Sequence, residues 1–158
     1  MLLFAAVPII AGPTANLPGA LLFGWFLLTL GWIDYFTLRL PDKLTGPLLA
    51  CGLANHITMG GLGAALYEGM LGAISGGALL ALVRYLFQRI KGYEGMGGGD
   101  VKLLAALGAW LGWQPLPALC FGASLCGLTV YAFSGRKREK IPFGPCLGLA
   151  GWVIYISP

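Results

Sequence analysis

The sequence predicts an all-α fold: a polytopic membrane helix bundle of about six transmembrane helices, forming a single membrane-embedded domain over residues 1–158. Three observations carry this reading. Mean hydropathy is +0.81, with 58% of residues apolar and 10% charged, which fits a chain that meets lipid better than a soluble domain. The 26 glycines follow no collagen-like period and lie largely inside apolar runs, where small residues let membrane helices approach closely. Finally, the ten Lys and Arg residues are confined to three places along the chain.

Each span has a local justification. Residues 1–11 are apolar but lack a basic n-region, so a short or partial helix is expected there rather than a cleaved signal peptide. No charge precedes Asp34, and Leu17 to Ile33 approaches the ~20 residues a helix needs to cross a bilayer. A polar connector from Thr37 to Asp42 follows. Span two runs from about Leu44 to Gly60 and breaks at Gly60-Gly61. Span three covers Tyr67 to Gln88, with Glu68 in its first turn, where the helix dipole favours an acid.

The uncharged stretch from Leu103 to Gly135 holds 33 residues. As one helix it would reach about 50 Å, far beyond a hydrocarbon core of about 30 Å, so it must fold back. Gly112-Trp113-Gln114-Pro115 is the natural break, giving a short span four, Val101 to Trp113, and span five, Leu116 to Ser134. Span six ends near Ile156, after the block Arg136 to Lys140 and Ile141-Pro142-Phe143-Gly144-Pro145.

The charge distribution tests this count. The basic residues fall at Arg39 and Lys43, between Arg84 and Lys102, and between Arg136 and Lys140. These are the first, third and fifth connections, which alternating crossings put on one face, and cytoplasmic loops are the ones enriched in Lys and Arg. The layout places Asp34, Asp42, Glu94 and Asp100 on that cytoplasmic side. The net charge of +4 is thereby read as membrane topology, and a nucleic-acid partner is not expected.

Asp100 follows Gly97-Gly98-Gly99 and could be the N-cap of span four. A cap needs no run of glycines, however, and such a run permits positive φ and close approach by an extended peptide. Asp34 ends a span, where the dipole disfavours an acid; it reads as an interfacial solvated carboxylate, as a partner for Arg39 or, as the unfavourable position indicates, as a functional residue. Asp42 reads as a cap or turn residue of span two. Glu94 is read as support for the glycine loop or a partner for Lys91 or Lys102. His56, alone in span two, is read as a packing or hydrogen-bonding residue. Cys51, Cys120, Cys126 and Cys146 show no CxxC spacing and are read as packing thiols. Two carboxylates held close cannot both ionise easily, which is the arrangement of aspartyl proteolysis. No convincing Ser-His, Cys-His or metal cluster competes with it.

Three blocks resemble the type IV prepilin peptidases, GxGD-type intramembrane aspartyl proteases. They are Ile33-Asp34 with Leu40-Pro41-Asp42-Lys43-Leu44-Thr45, then Glu94 to Leu103, then Ile141 to Pro145, in the family's order. The resemblance implies that Asp34 and Asp100 form the catalytic dyad. It implies prepilin or pseudopilin substrates, cut after a glycine that follows a short basic leader. It also implies a bacterial inner-membrane enzyme whose site faces the cytoplasm, serving pilus assembly or type II secretion. Many members carry a cytoplasmic insert with paired CxxC motifs, associated with N-methylation. This sequence has neither, so it resembles a short form for which methyltransferase activity, zinc and other cofactors are not expected. Two alternatives remain at this level: a GxGD protease acting on other membrane-anchored leaders, flagellin-like ones included, and a catalytically silent assembly partner or small transporter.

Overall fold

A computed structural model describes residues 17–37, 41–92, 97–133 and 143–157. Among these are six α-helices and no strand: α1 (Leu17–Thr37), α2 (Asp42–Ala64), α3 (Met70–Lys91), α4 (Gly98–Leu111), α5 (Leu116–Phe133) and α6 (Phe143–Ile156). The all-α bundle read from the sequence is borne out. The N-terminal helix over residues 1–11, Arg39, Glu94 and the block Arg136 to Lys140 lie outside the described residues.

Three stretches, Pro18–Thr37, Gly60–Ile90 and Leu116–Phe133, are long and apolar enough to cross a membrane, and Phe143–Ile156 is a shorter apolar helix. Together they make this a multi-pass membrane protein. At 14 residues, α4 reaches only about 21 Å, as its shortness in the sequence foretold. It sits at the centre of the bundle, packed against α2, α3 and α6, while α6 also carries α1 on one side and α5 on another. Leu103, Leu104, Ala106, Leu107, Ala109 and Trp110 of α4 are all buried.

Two features bring the helices this close. At the crossing of α3 and α4, a Cβ on either Gly72 or Gly108 would run into the backbone of the other, so only glycine fits both positions. On the side away from Asp34 and Asp100, Phe23 of α1 stacks on Trp110 of α4 at 4.8 Å and meets Tyr155 of α6 at 5.0 Å between ring centroids. The Trp110 indole N–H donates to the Leu48 carbonyl at 2.7 Å, which ties α4 to α2 and satisfies the ring's single donor. Trp110 is ten residues along α4 from Asp100, about 15 Å, so this aromatic cluster fixes the helices one bundle-depth away from the two acids.

Several boundaries differ from the sequence reading. Gly61 (φ 77°, ψ −176°) does kink α2, but helical geometry resumes to Ala64 and passes through a π-helical turn, Ala65–Gly69, into α3. Glu68 therefore lies in that turn and not at the start of α3. The break after α4 is where the Gly112-Trp113-Gln114-Pro115 pattern put it, with Gly112 at φ 80° donating its N–H to the Gly108 carbonyl at 2.8 Å. His56 Nε2 is buried and meets no hydrogen-bond partner among the described residues, and the ring packs against Gly69.

Candidate active site

The ends of α1 and α3 and the starts of α2, α4 and α6 gather at one end of the bundle. Side chains record the convergence: Lys102 of α4 meets Asp42 of α2, Arg84 of α3 lies against Gly98, and Asp34 of α1 meets Gly144 of α6. Alternating crossings predicted this gathering, and it puts Asp34 and Asp100 within electrostatic reach of one another.

Asp34 is 4% exposed although it lies in the last turn of α1, where its own helix disfavours a negative charge. Its compensation comes from α6. Gly144 is the second residue of that helix, so its N–H is among the first four that lack an intrahelical acceptor. It donates to Asp34 Oδ2 at 3.0 Å. The carboxylate thus takes the positive end of one helix dipole in exchange for the negative end of another. A Cβ at Gly144 would stand 2.6 Å from the same Oδ2 and 3.0 Å from Cγ, so the contact requires glycine. The sequence reading quoted Gly144 within its third block but gave it no role. The available signal was a glycine between a helix-starting Phe143 and Pro145, a residue with no N–H of its own.

Asp100 is 8% exposed and lies outside the three membrane-crossing stretches. Its carboxyl is pushed up to about 6, first by burial and then by the negative charge of Asp34. No hydrogen-bond donor meets it among the described residues. The N-cap reading of Asp100 is corrected, because the cap is Gly97, in extended conformation (φ −66°, ψ 141°), and Asp100 is the third residue of the helix. The glycine loop is corrected in the same way. Gly98 and Gly99 form the first turn of α4, and positive φ occurs among the described glycines only at Gly61, Gly92 and Gly112. Tertiary packing of α4 overrides the weak helix propensity of glycine. What Gly98 provides is space for a cation, since the Arg84 guanidinium lies 2.8 Å from where its Cβ would be. Gly97 does leave the room expected of the loop, with the Asp100 carboxylate 3.9 Å from its Cβ position. A cleft of about 590 Å³ opens between α3 and α4, lined by Arg84, Tyr85, Gln88, Gly98, Gly99 and Lys102.

Asp42 is the first residue of α2, and the Pro41 carbonyl accepts from the N–H groups of Leu44 and Thr45, so Asp42 starts the helix without capping it. Its carboxylate pairs with Lys102 Nζ at 2.6 Å, and both side chains are more than half exposed. Lys102 thus turns to Asp42. Solvent screens such a pair, so Asp42→Asn should shift stability by less than about 1 kcal/mol, read as thermal unfolding in detergent. The four cysteines are free, and no group of three metal-ligating side chains occurs among the described residues.

The model of the type IV leader peptidase family matches residues 21–132, a segment that contains both aspartates. The chain is 42% identical over 161 residues to a prepilin leader peptidase/N-methyltransferase of Aeromonas hydrophila, covering 96% of this chain and 53% of that protein. It is 46% identical over 139 residues to one of Pseudomonas aeruginosa, covering 84% and 47% respectively. A Neisseria gonorrhoeae relative of the same name is 41% identical, with 88% and 48% covered. The chain spans about half the length of these curated relatives. No solved structure matches it. Two buried carboxylates on separate helices, in an all-helical membrane chain with this span of similarity, have one consistent account: the chain belongs to the type IV leader peptidase family.

Proposed function

We propose that this chain is an aspartyl endopeptidase that removes the basic leader from type IV prepilins or pseudopilins, working in the bacterial inner membrane with Asp34 and Asp100 as a dyad facing the cytoplasm. The observation that carries this reading is a pair of buried carboxylates, from α1 and α4, within electrostatic reach of one another at the same end of the bundle. The relatives' name joins peptidase and methyltransferase, and the dyad supports the peptidase half.

In the dyad the ionised carboxylate takes a proton from water while the water oxygen attacks the scissile carbonyl carbon. The protonated partner gives its proton to the carbonyl oxygen. The tetrahedral intermediate collapses as the C–N bond breaks, the nitrogen receives a proton, and the pair is left sharing one proton as it began. Gly97, exposed and extended beside Asp100, offers the backbone edge along which an extended leader can lie.

Purified full-length chain incubated with leader peptides tests the proposal. Prepilin and pseudopilin leaders should be cut after the glycine, while flagellin-like leaders should not. Because Asp100 sits at about 6, the proton donor is present below that pH and lost above it, so the cleavage rate should fall as pH rises through about 6. Cleavage of flagellin-like leaders alone would change the substrate class, and proton or solute movement without any cleavage would sink the peptidase reading.

A further inference from the structure

Resting on that peptidase reading, we infer that the Gly144 amide is a positioning group that keeps Asp34 as the charged member of the pair, the base, and leaves the shared proton on Asp100, the acid. The two aspartates are alike in chemistry and both are buried, so their division of labour must come from what surrounds each of them. Asp34 receives one N–H, at 3.0 Å, from the first turn of α6. A donor aimed at a carboxylate favours its ionised form, and the helix end behind that donor adds partial positive charge. Pro145 contributes no N–H, so it does not compete with Gly144 for the carboxylate. Asp100 lies in the first turn of its own helix, α4, but no donor reaches its carboxyl among the described residues. With one negative charge to be placed, the oxygen that already accepts a hydrogen bond is the better host.

The other groups facing Asp34 do not reverse this. Cys146 of α6 lies within electrostatic reach, and its thiol is hydrogen-bonded to Cys126 of α5. The Asp42–Lys102 pair and Lys43 are exposed on the α2 side. In the reaction, water therefore loses its proton to Asp34, its oxygen bonds to the carbonyl carbon, and the Asp100 proton passes to the carbonyl oxygen. The new N-terminus takes a proton back through the pair.

No side-chain substitution removes the Gly144 N–H alone, since any Cβ there collides with Asp34. The clean perturbation replaces the Gly144 amide with an ester in the full chain, by incorporating glycolic acid at that position. The ester variant should lose about 10- to 100-fold in kcat with KM little changed, and its pH profile should differ from that of the wild type, because the base has lost its donor. A second readout needs no activity. At pH 5, below the point at which Asp100 loses its proton, the infrared carboxylic-acid C=O band of the wild-type chain should vanish in Asp100→Asn and persist in Asp34→Asn. An ester variant with wild-type kcat and pH profile would overturn the inference, as would an acid band that vanishes in Asp34→Asn and persists in Asp100→Asn. A wild type that carries the band on Asp100 yet cuts no leader refutes the peptidase reading while the placement of the proton stands.

Discussion

Asp34→Asn and Asp100→Asn should each reduce leader cleavage by roughly a thousandfold or more while the protein still inserts and accumulates. In the proposed dyad each substitution removes one half of a proton exchange that neither residue can perform alone. An amide in place of Asp34 cannot take the proton of water, and one in place of Asp100 cannot deliver a proton to the carbonyl oxygen. The effect on stability should run the other way. Both carboxyls are buried and repel one another when charged, so making either permanently neutral relieves a native-state penalty. Each variant is therefore expected to unfold at or above the wild-type temperature in detergent, a sign that the pair is kept for activity. Near-normal processing by either variant would remove it from the dyad. A large loss of thermal stability would assign it to the fold.

Gly108→Ala should have the largest effect on the fold. Its Cβ would press into the backbone at Gly72, and backbone cannot rotate away as a flexible side chain can. The only relief is separation of α3 from α4, with an overpacking cost of about 1–3 kcal/mol or more. Because α4 carries Asp100, cleavage and stability should fall together. Gly46→Ala is the matched control: it lies exposed in α2 with nothing within 4 Å of its Cβ position. That change should leave cleavage intact and shift stability by less than about 1 kcal/mol, because the helix propensity of alanine is offset by its position before Pro47. Equal thermal unfolding of the two variants would refute the close crossing of α3 and α4.

Much of the fold was legible in the sequence because bilayer physics writes itself into composition. Only helices satisfy their backbone groups across lipid within one short segment, so apolar runs of the right length and the alternation of basic connections fix the order of the helices. The breaks at Gly61 and Gly112 were legible for a local reason, since both glycines adopt positive φ. The start of α4 was not. Gly-Gly-Gly reads as loop by propensity, and what makes two of those glycines helical is the burial of the rest of the helix against α2, α3 and α6. The partner of Lys102 was equally hidden, because Asp42 lies 60 residues away in the chain.

By itself the sequence determined that this chain is a membrane helix bundle, that Asp34, Asp42 and Asp100 fall at one end of it, and that Asp34 and Asp100 are the two that need a reason to be there. Only the tertiary structure decided how they differ. The Gly144 amide is 110 residues from Asp34 along the chain, and a hydrogen bond over that separation exists only because α6 packs against α1. Hydropathy and charge are properties of segments and survive in the sequence, whereas the direction of a helix N-terminus toward a particular carboxylate is a property of packing.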